Sequence, residues 1–254
     1  MEEKKLQKAG NILLASSFVG LGAYLTYLGY DEAMKMECIK SYPMSSLKKL
    51  EEETKPWIEW NDAKPRPIYV KTYGYAASEQ PLTAQVSRKK VIIYERKTVS
   101  SSANPLRNLS PFTEVDSVHR RTPFYIHDEN VRANIDFPLT QPDLETLTVK
   151  REKKNSFWLS LVLSPFVNYP HEYVTIERAL PTNKKIFIAG MVTRATGGTL
   201  EILEPWNRMY PTIISTKSEE ELMRDMRYKR DGCITAGSII TLAASFFLVK
   251  SLRQ

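Results

Sequence analysis

Two cysteines, Cys38 and Cys233, and three histidines, His119, His127 and His171, are all that the 254 residues hold of either type. So few thiols exclude a disulfide framework and any zinc module that needs several thiolates. If the two apolar runs described below cross a membrane, both cysteines lie on one side of it. A bond between them is open, and unpaired thiols are the expectation. His127 stands beside Asp128 and Glu129, but three adjacent side chains do not converge on one ion, and a turn accounts for them. No metal site is expected. G-x-G-x-x-G, Walker A and G-x-S-x-G are all absent, and Gly197-Gly198 is an isolated pair. No group of polar residues marks a cleft for acid/base work. Glu177 reads as a polar residue at a strand end and Asp136 as an outward-facing one. Neither a cofactor nor a small-molecule substrate is expected, and there is no internal repeat and no heptad run.

A block of one charge sign is also missing. Lys and Arg number 36 against 29 Asp and Glu, giving a net charge of +7, but the two signs are interleaved almost everywhere. Nucleic acid is therefore not an expected partner. Basic residues also collect beside anionic headgroups for electrostatic reasons alone.

Two stretches carry no charge at all, 10–30 and 232–249. A bilayer core of about 30 Å takes ~20 helical residues at ~1.5 Å each, and lipid forces backbone groups to pair internally. Each stretch is expected to be a transmembrane helix. The first ends in Tyr24, Tyr27 and Tyr30, which suits an interface better than a signal-peptide cleavage site. Two spans place both termini on one side and the intervening residues on the other. Orientation stays open: Lys4, Lys5, Lys8, Lys250 and Arg253 flank the spans at the termini, and Lys35, Lys40, Arg224, Arg227, Lys229 and Arg230 flank them on the other side. Ser16 and Gly20 on the first run, and Gly237, Thr241 and Ser245 at i, i+4, i+8 on the second, form small-residue stripes of the kind used in helix–helix contacts.

Between the spans the pattern is that of strands. After a short capped helix from Ser45 to Glu52 and a proline-punctuated connection through Pro56, Pro65 and Pro67, residues 68–75 and 91–95 are rich in Tyr and β-branched side chains. Residues 99–111 read as an exposed loop. Pro123–Ile126, a turn at 127–130, and the alternation of Val131, Ala133 and Ile135 with Arg132, Asn134 and Asp136 predict a half-buried hairpin. Ile186–Thr193 is apolar on both faces and reads as a central strand. Gly197-Gly198 supplies the positive φ values of a tight turn before Thr199–Ile202. Ile213-Ile214 ends the sheet. Ser218 with Glu221 forms a capping box for a helix at 219–230 that runs towards the second span. Residues 138–170 look like an excursion. There Lys150, Arg151, Lys153 and Lys154 precede an apolar run in which Phe157, Trp158 and Leu161 are candidate contacts with a membrane or a partner, a buried segment being the other reading.

The order of these pieces resembles the GIDE, or "beside a membrane", domain of mitochondrial and chloroplast-envelope ubiquitin ligases. The residues that carry the resemblance are 91–96, 123–128, 131–136, 177–181, 186–190, 197–202 and 213–222. The family implies a domain between two spans and a RING finger after the second. Here Lys250-Ser251-Leu252-Arg253-Gln254 follow it, so ligase chemistry is not carried over. The expected fold is a membrane protein with two transmembrane helices flanking a β-rich α+β domain, mainly an antiparallel sheet. Its parts are a tail (1–9), a span (10–30), a helix and linker (31–65), the GIDE-like domain (66–231), a span (232–249) and a tail (250–254). The expected role is a non-catalytic, membrane-anchored subunit or scaffold of an organellar complex, or else a RING-less partner of a ligase of this kind. Its partners are then other membrane subunits and the lipid bilayer. The mitochondrion is favoured over the chloroplast envelope as location.

Overall fold

A computed structural model describes residues 2–55, 67–101, 112–138, 142–154, 171–195, 197–205, 207 and 210–253. They form two compact units, a helical one and a β-rich one.

The helical unit is built on α1 (Glu2–Ser41) and α3 (Glu219–Arg253). α1 is unbroken from the first charged residues through the apolar run and beyond. At about 60 Å it outruns what a bilayer needs, and its last turns are polar, with Lys35 Nζ 2.6 Å from Asp31 one turn back. α3 likewise joins the predicted 219–230 helix to the second apolar run without a break. The capping box forms: the Ser218 N–H donates to Glu221 Oε2 at 3.1 Å, and the Glu221 N–H to Ser218 Oγ at 3.2 Å. Both helices are long and apolar enough to cross a membrane, and most of each apolar segment is exposed. Cys38 and Cys233 are both free.

The β unit contains two sheets. Strands β1 (Ile68–Ala77), β5 (Phe124–Asp128), β6 (Val131–Asp136), β9 (Lys185–Arg194) and β10 (Leu200–Leu203) close on themselves in the order β1-β5-β6-β10-β9-β1. β6 and β10 are parallel and every other pair is antiparallel. This is the connectivity of an OB-type Greek-key barrel. The expected antiparallel sheet is thus a closed barrel with one parallel seam, because the chain leaves after β6 and returns at β9 before β10 is laid down. β11 (Ile213–Ser215) extends the outer edge of β9. β9 is central, as its two-sided apolarity predicts. The turn after it needs one left-handed glycine rather than two: Gly198 has φ 79°.

The second sheet comes from two departures of the barrel chain. β2 (Leu82–Thr83), β3 (Lys90–Ser101) and β4 (Phe112–Arg121) leave between β1 and β5. β7 (Glu145–Lys154) and β8 (His171–Pro181) leave between β6 and β9. β3 pairs with β2, β4 and β8, and β8 with β7. Ten residues of the 138–170 stretch are therefore an ordered edge strand. Its alternation is hidden because charged and Thr side chains dominate both faces, as an edge permits. Residues 99–101, read as loop, complete β3, where Ser100 and Ser101 pair on both sides. Phe157, Trp158 and Leu161 lie outside the described residues.

One core joins the two sheets. Ile126, Ala133, Ile188 and Ile202 from the barrel share it with Ile92 and Leu180 from the second sheet and with Leu47 and Leu50 of α2 (Leu47–Thr54). Ser46 caps α2, accepting from the Lys49 N–H. Arg194 closes its other end, donating from Nη2 to the Glu51 carbonyl at 2.7 Å and from Nε to Thr54 Oγ1 at 2.9 Å.

Candidate functional site: an aromatic and cationic row on the barrel

Alternation decides what the barrel shows. Ala76, Ile126 and Ala133 point inward and are fully buried, so Tyr75, Tyr125, His127, Arg132 and Asn134 point out. Register aligns them: Lys185 lies opposite Tyr75, Tyr75 opposite His127, and His127 opposite Arg132. One row thus crosses β9, β1, β5 and β6. The Tyr75 and His127 rings are 6.0 Å apart, and Tyr125 is 6.2 Å from His127. The Arg132 guanidinium sits 3.7 Å from the centre of the Tyr125 ring, and Lys185 Nζ 5.3 Å from that of Tyr73. Such contacts are worth about 0.5–1 kcal/mol each at an exposed site. They hold the two cations beside the rings. Tyr75 is 43% exposed.

Beside the row is a cleft of about 510 Å³, lined by Glu79, Gln80, Thr122, Arg132, Asn134 and Asp136 among others. Arg132 Nη1 reaches Glu79 Oε1 at 3.0 Å across it. The Ser78 hydroxyl donates to the Pro123 carbonyl at 2.7 Å and fixes the rim. Among the described residues no three His, Cys, Asp or Glu side chains are grouped to hold a metal ion. His119, His127 and His171 lie on β4, β5 and β8 respectively. The arrangement is suited to recognition by stacking and charge.

Glu177 is not the strand-end residue that its position suggests. It lies within β8, is fully buried, and shares a face with buried Ala179. The N–H groups of Val86 and Ser87 donate to its two oxygens, each at 2.9 Å, and the Tyr94 hydroxyl donates to Oε1 at 2.9 Å. Burial pushes the Glu177 carboxyl up, but these donors favour its charged form and hold it below the usual carboxylate range. Burial and the bond to Glu177 in turn push the Tyr94 phenol up. The carboxylate is an anchor for the turn between β2 and β3. Asp136 is exposed, as read.

The small-residue stripes divide. Gly237 and Thr241 face α1, where a Cβ on Gly237 would lie 2.6 Å from the Gly22 carbonyl oxygen and 2.8 Å from the Thr26 nitrogen. A Cβ on Gly22 would lie 2.7 Å from the Gly237 oxygen. Gly29 meets Ile234 and Arg230 further along, so the helices run antiparallel. Ser245 is half-buried. On α1 the seam is not the Ser16 and Gly20 stripe. Ser16 is exposed and its hydroxyl donates to the Ile12 carbonyl within its own helix, and a Cβ on Gly20 meets nothing within 4 Å. Burial recurs every seventh residue instead, at Ala15, Gly22, Gly29 and Met36, and at Gly237 and Ala244 on α3. That is a heptad spacing, against the expectation of no heptad run, and it escapes a search for large apolar residues because Ala and Gly fill it until Met36.

A closed barrel with a second sheet, set in the chain between two long apolar helices, defines the class: a small β domain tethered at both ends. A family model described as "GIDE: E3 Ubiquitin ligase" matches residues 95–249, more than half of the sequence. The chain belongs to the GIDE family. No curated protein and no solved structure matches it. The matched stretch begins within β3, so β1, which closes the barrel, and α1, half of the helical seam, lie outside it.

Proposed function

We propose that this GIDE-family protein is a membrane-anchored, non-catalytic subunit or scaffold of an organellar complex, and that its barrel row is the surface that binds another protein. The row is the observation that carries the reading. Tyr and Arg are the residues that dominate protein–protein hot spots, and here they are pre-ordered by neighbours on three strands. Support for the anchors comes from the exposed apolar residues of α1 and α3, since a soluble core helix would be buried. The mitochondrion is the first location to test and the chloroplast envelope the second, both from the family resemblance.

A second reading is favoured by the description of the matched family: the protein pairs with a ubiquitin ligase of this family and contributes a recognition half. Gentle solubilisation of the native membrane, followed by a native gel and identification of co-migrating chains, separates the two. A large stable assembly supports the scaffold, and a ligase partner supports the second. The double variant Tyr75→Ala, Arg132→Glu should release the partner while the domain stays folded. A complex of unchanged size would remove the row as the docking surface.

A further inference from the structure

The seam between α1 and α3 is tight at Gly22 and Gly237 and loosens towards the chain ends. There Ala15 and Ala244, 6% and 5% exposed, form a floor. Leu14, Phe18, Ala243 and Phe247 stand above it as walls around a furrow of about 530 Å³. The walls are themselves exposed, so the furrow opens sideways along its length. Its far end is polar, closed by Asn11 and Ser251. Lys250, next in the chain to Ser251, is exposed and has no ion pair among the described residues.

We propose that this furrow seats one acyl chain of an anionic phospholipid, with the headgroup phosphate at Lys250, Asn11 and Ser251. The proposal rests on the reading that both helices cross a membrane. A furrow walled by Leu, Phe and Ala is not filled by water, and one that opens into hydrocarbon is offered acyl chains at bulk concentration. The shape selects an unbranched occupant: Asn11 to Phe18 spans ~10 Å along the helix axis, and the floor is only two alanines wide. The polar end selects which way the lipid points. A free cation one residue from the mouth adds attraction for a phosphate that also carries net negative charge. Lys4, Lys5 and Lys8, against Glu2 and Glu3, leave the adjoining start of α1 with an excess of positive charge in sequence.

The test uses the full chain, reconstituted in vesicles of phosphatidylcholine and phosphatidylglycerol, re-extracted in mild detergent and weighed by native mass spectrometry. One retained phospholipid, enriched in phosphatidylglycerol, is expected. Ala243→Trp fills the furrow from its wall without entering the Ala15–Ala244 contact, and should abolish retention while the protein still resists carbonate extraction. Lys250→Glu changes an exposed residue that no fold contact needs, and should cut the preference for phosphatidylglycerol by roughly fivefold, the effect of one juxtamembrane cation on an anionic surface. Equal retention by Ala243→Trp, or an unchanged preference in Lys250→Glu, overturns the proposal. So does crosslinking of two copies through cysteines placed at Phe18 and Phe247, which would make the furrow a seat for a second chain. Resistance to carbonate with no lipid retained overturns the furrow alone. Complete release by carbonate overturns it together with the membrane reading.

Discussion

The two units of this protein are inverted with respect to each other. In the β unit large apolar side chains are hidden, with Ile126, Ile188 and Ile202 fully buried, and charge is shown. In the uncharged runs of the helical unit, 10–30 and 232–249, small side chains are hidden and large ones shown. Leu13 and Leu242 are 73% and 72% exposed, while the buried positions are glycine and alanine, and buried large side chains return only outside those runs, as at Met36 and Ile39. Water drives the first arrangement, since burying apolar area is what stabilises it. If both helices cross a membrane, as proposed, it does not drive the second. Between helices in lipid, stability comes from close backbone approach and not from hiding Leu. On the proposed reading that both helices cross a membrane, one chain is written for two solvents. The change falls within the helices, after Tyr30 in α1 and before Gly232 in α3, where charged residues meet the uncharged runs.

The largest test of this contrast is to truncate the same kind of residue in each unit. Ile126→Ala should cost the β unit about 4 kcal/mol, whereas Leu242→Ala should change stability in detergent by less than about 0.5 kcal/mol. Denaturant unfolding followed by Tyr and Trp fluorescence measures both, and comparable losses would break the inversion. Next is the seam. Gly237→Leu forces a side chain against the Gly22 carbonyl and should cost ~3 kcal/mol of helix pairing, while Gly20→Leu, with open space around it, should cost nothing detectable. Crosslinking yield between cysteines placed across the helices reports this directly, and equal effects would put the contact elsewhere.

A smaller effect is expected at Glu177. Glu177→Gln leaves an amide where two N–H groups and a hydroxyl donate, at a cost of about 2 kcal/mol. The sign with pH follows from its lowered value. The charged carboxylate's contribution is fully present above the unfolded value near pH 4.3, and it fades as pH falls through the lower folded value. Thermal melts from pH 7 to pH 3 should show a steeper acid loss in the native protein than in Glu177→Gln, and parallel curves would remove the anchor. The smallest effect is that of Arg132→Ala, whose exposed pair with Glu79 is worth under ~1 kcal/mol to the fold. If Arg132 is instead a large contributor to stability, the row is structural rather than a binding surface.

The sequence made these layers legible to different degrees. The return strand Val131–Asp136 was readable because its residues obey one simple alternation, whereas His127 and Asp128, read as turn, extend β5. The capping box was readable because two residues three apart define it. Barrel closure was not readable. The β6–β10 pair and the β1–β9 pair each join segments separated by whole strands, and no local pattern encodes a partner that distant. β7 was obscured by its charges, which an edge strand tolerates. Glu177 left a faint signal, a carboxylate in the same alternation as Ala179. The seam on α1 was missed because Gly20 and Gly22 look alike in sequence, and only the partner helix says which of them is touched. The aromatic row needed register, since Tyr75, His127 and Arg132 are neighbours only once three strands are aligned.

The closure of the barrel by β1 also governs when the domain can exist. Ile68 waits for Val192 and Tyr75 for Lys185, so during synthesis the first strand stands unpaired along one edge until more than a hundred residues have followed it. Pairing over such a separation is slow. A nascent chain therefore carries an open strand edge while β2 to β8 are being made, and a fragment that starts at the matched boundary, residue 95, lacks the strand that shuts it.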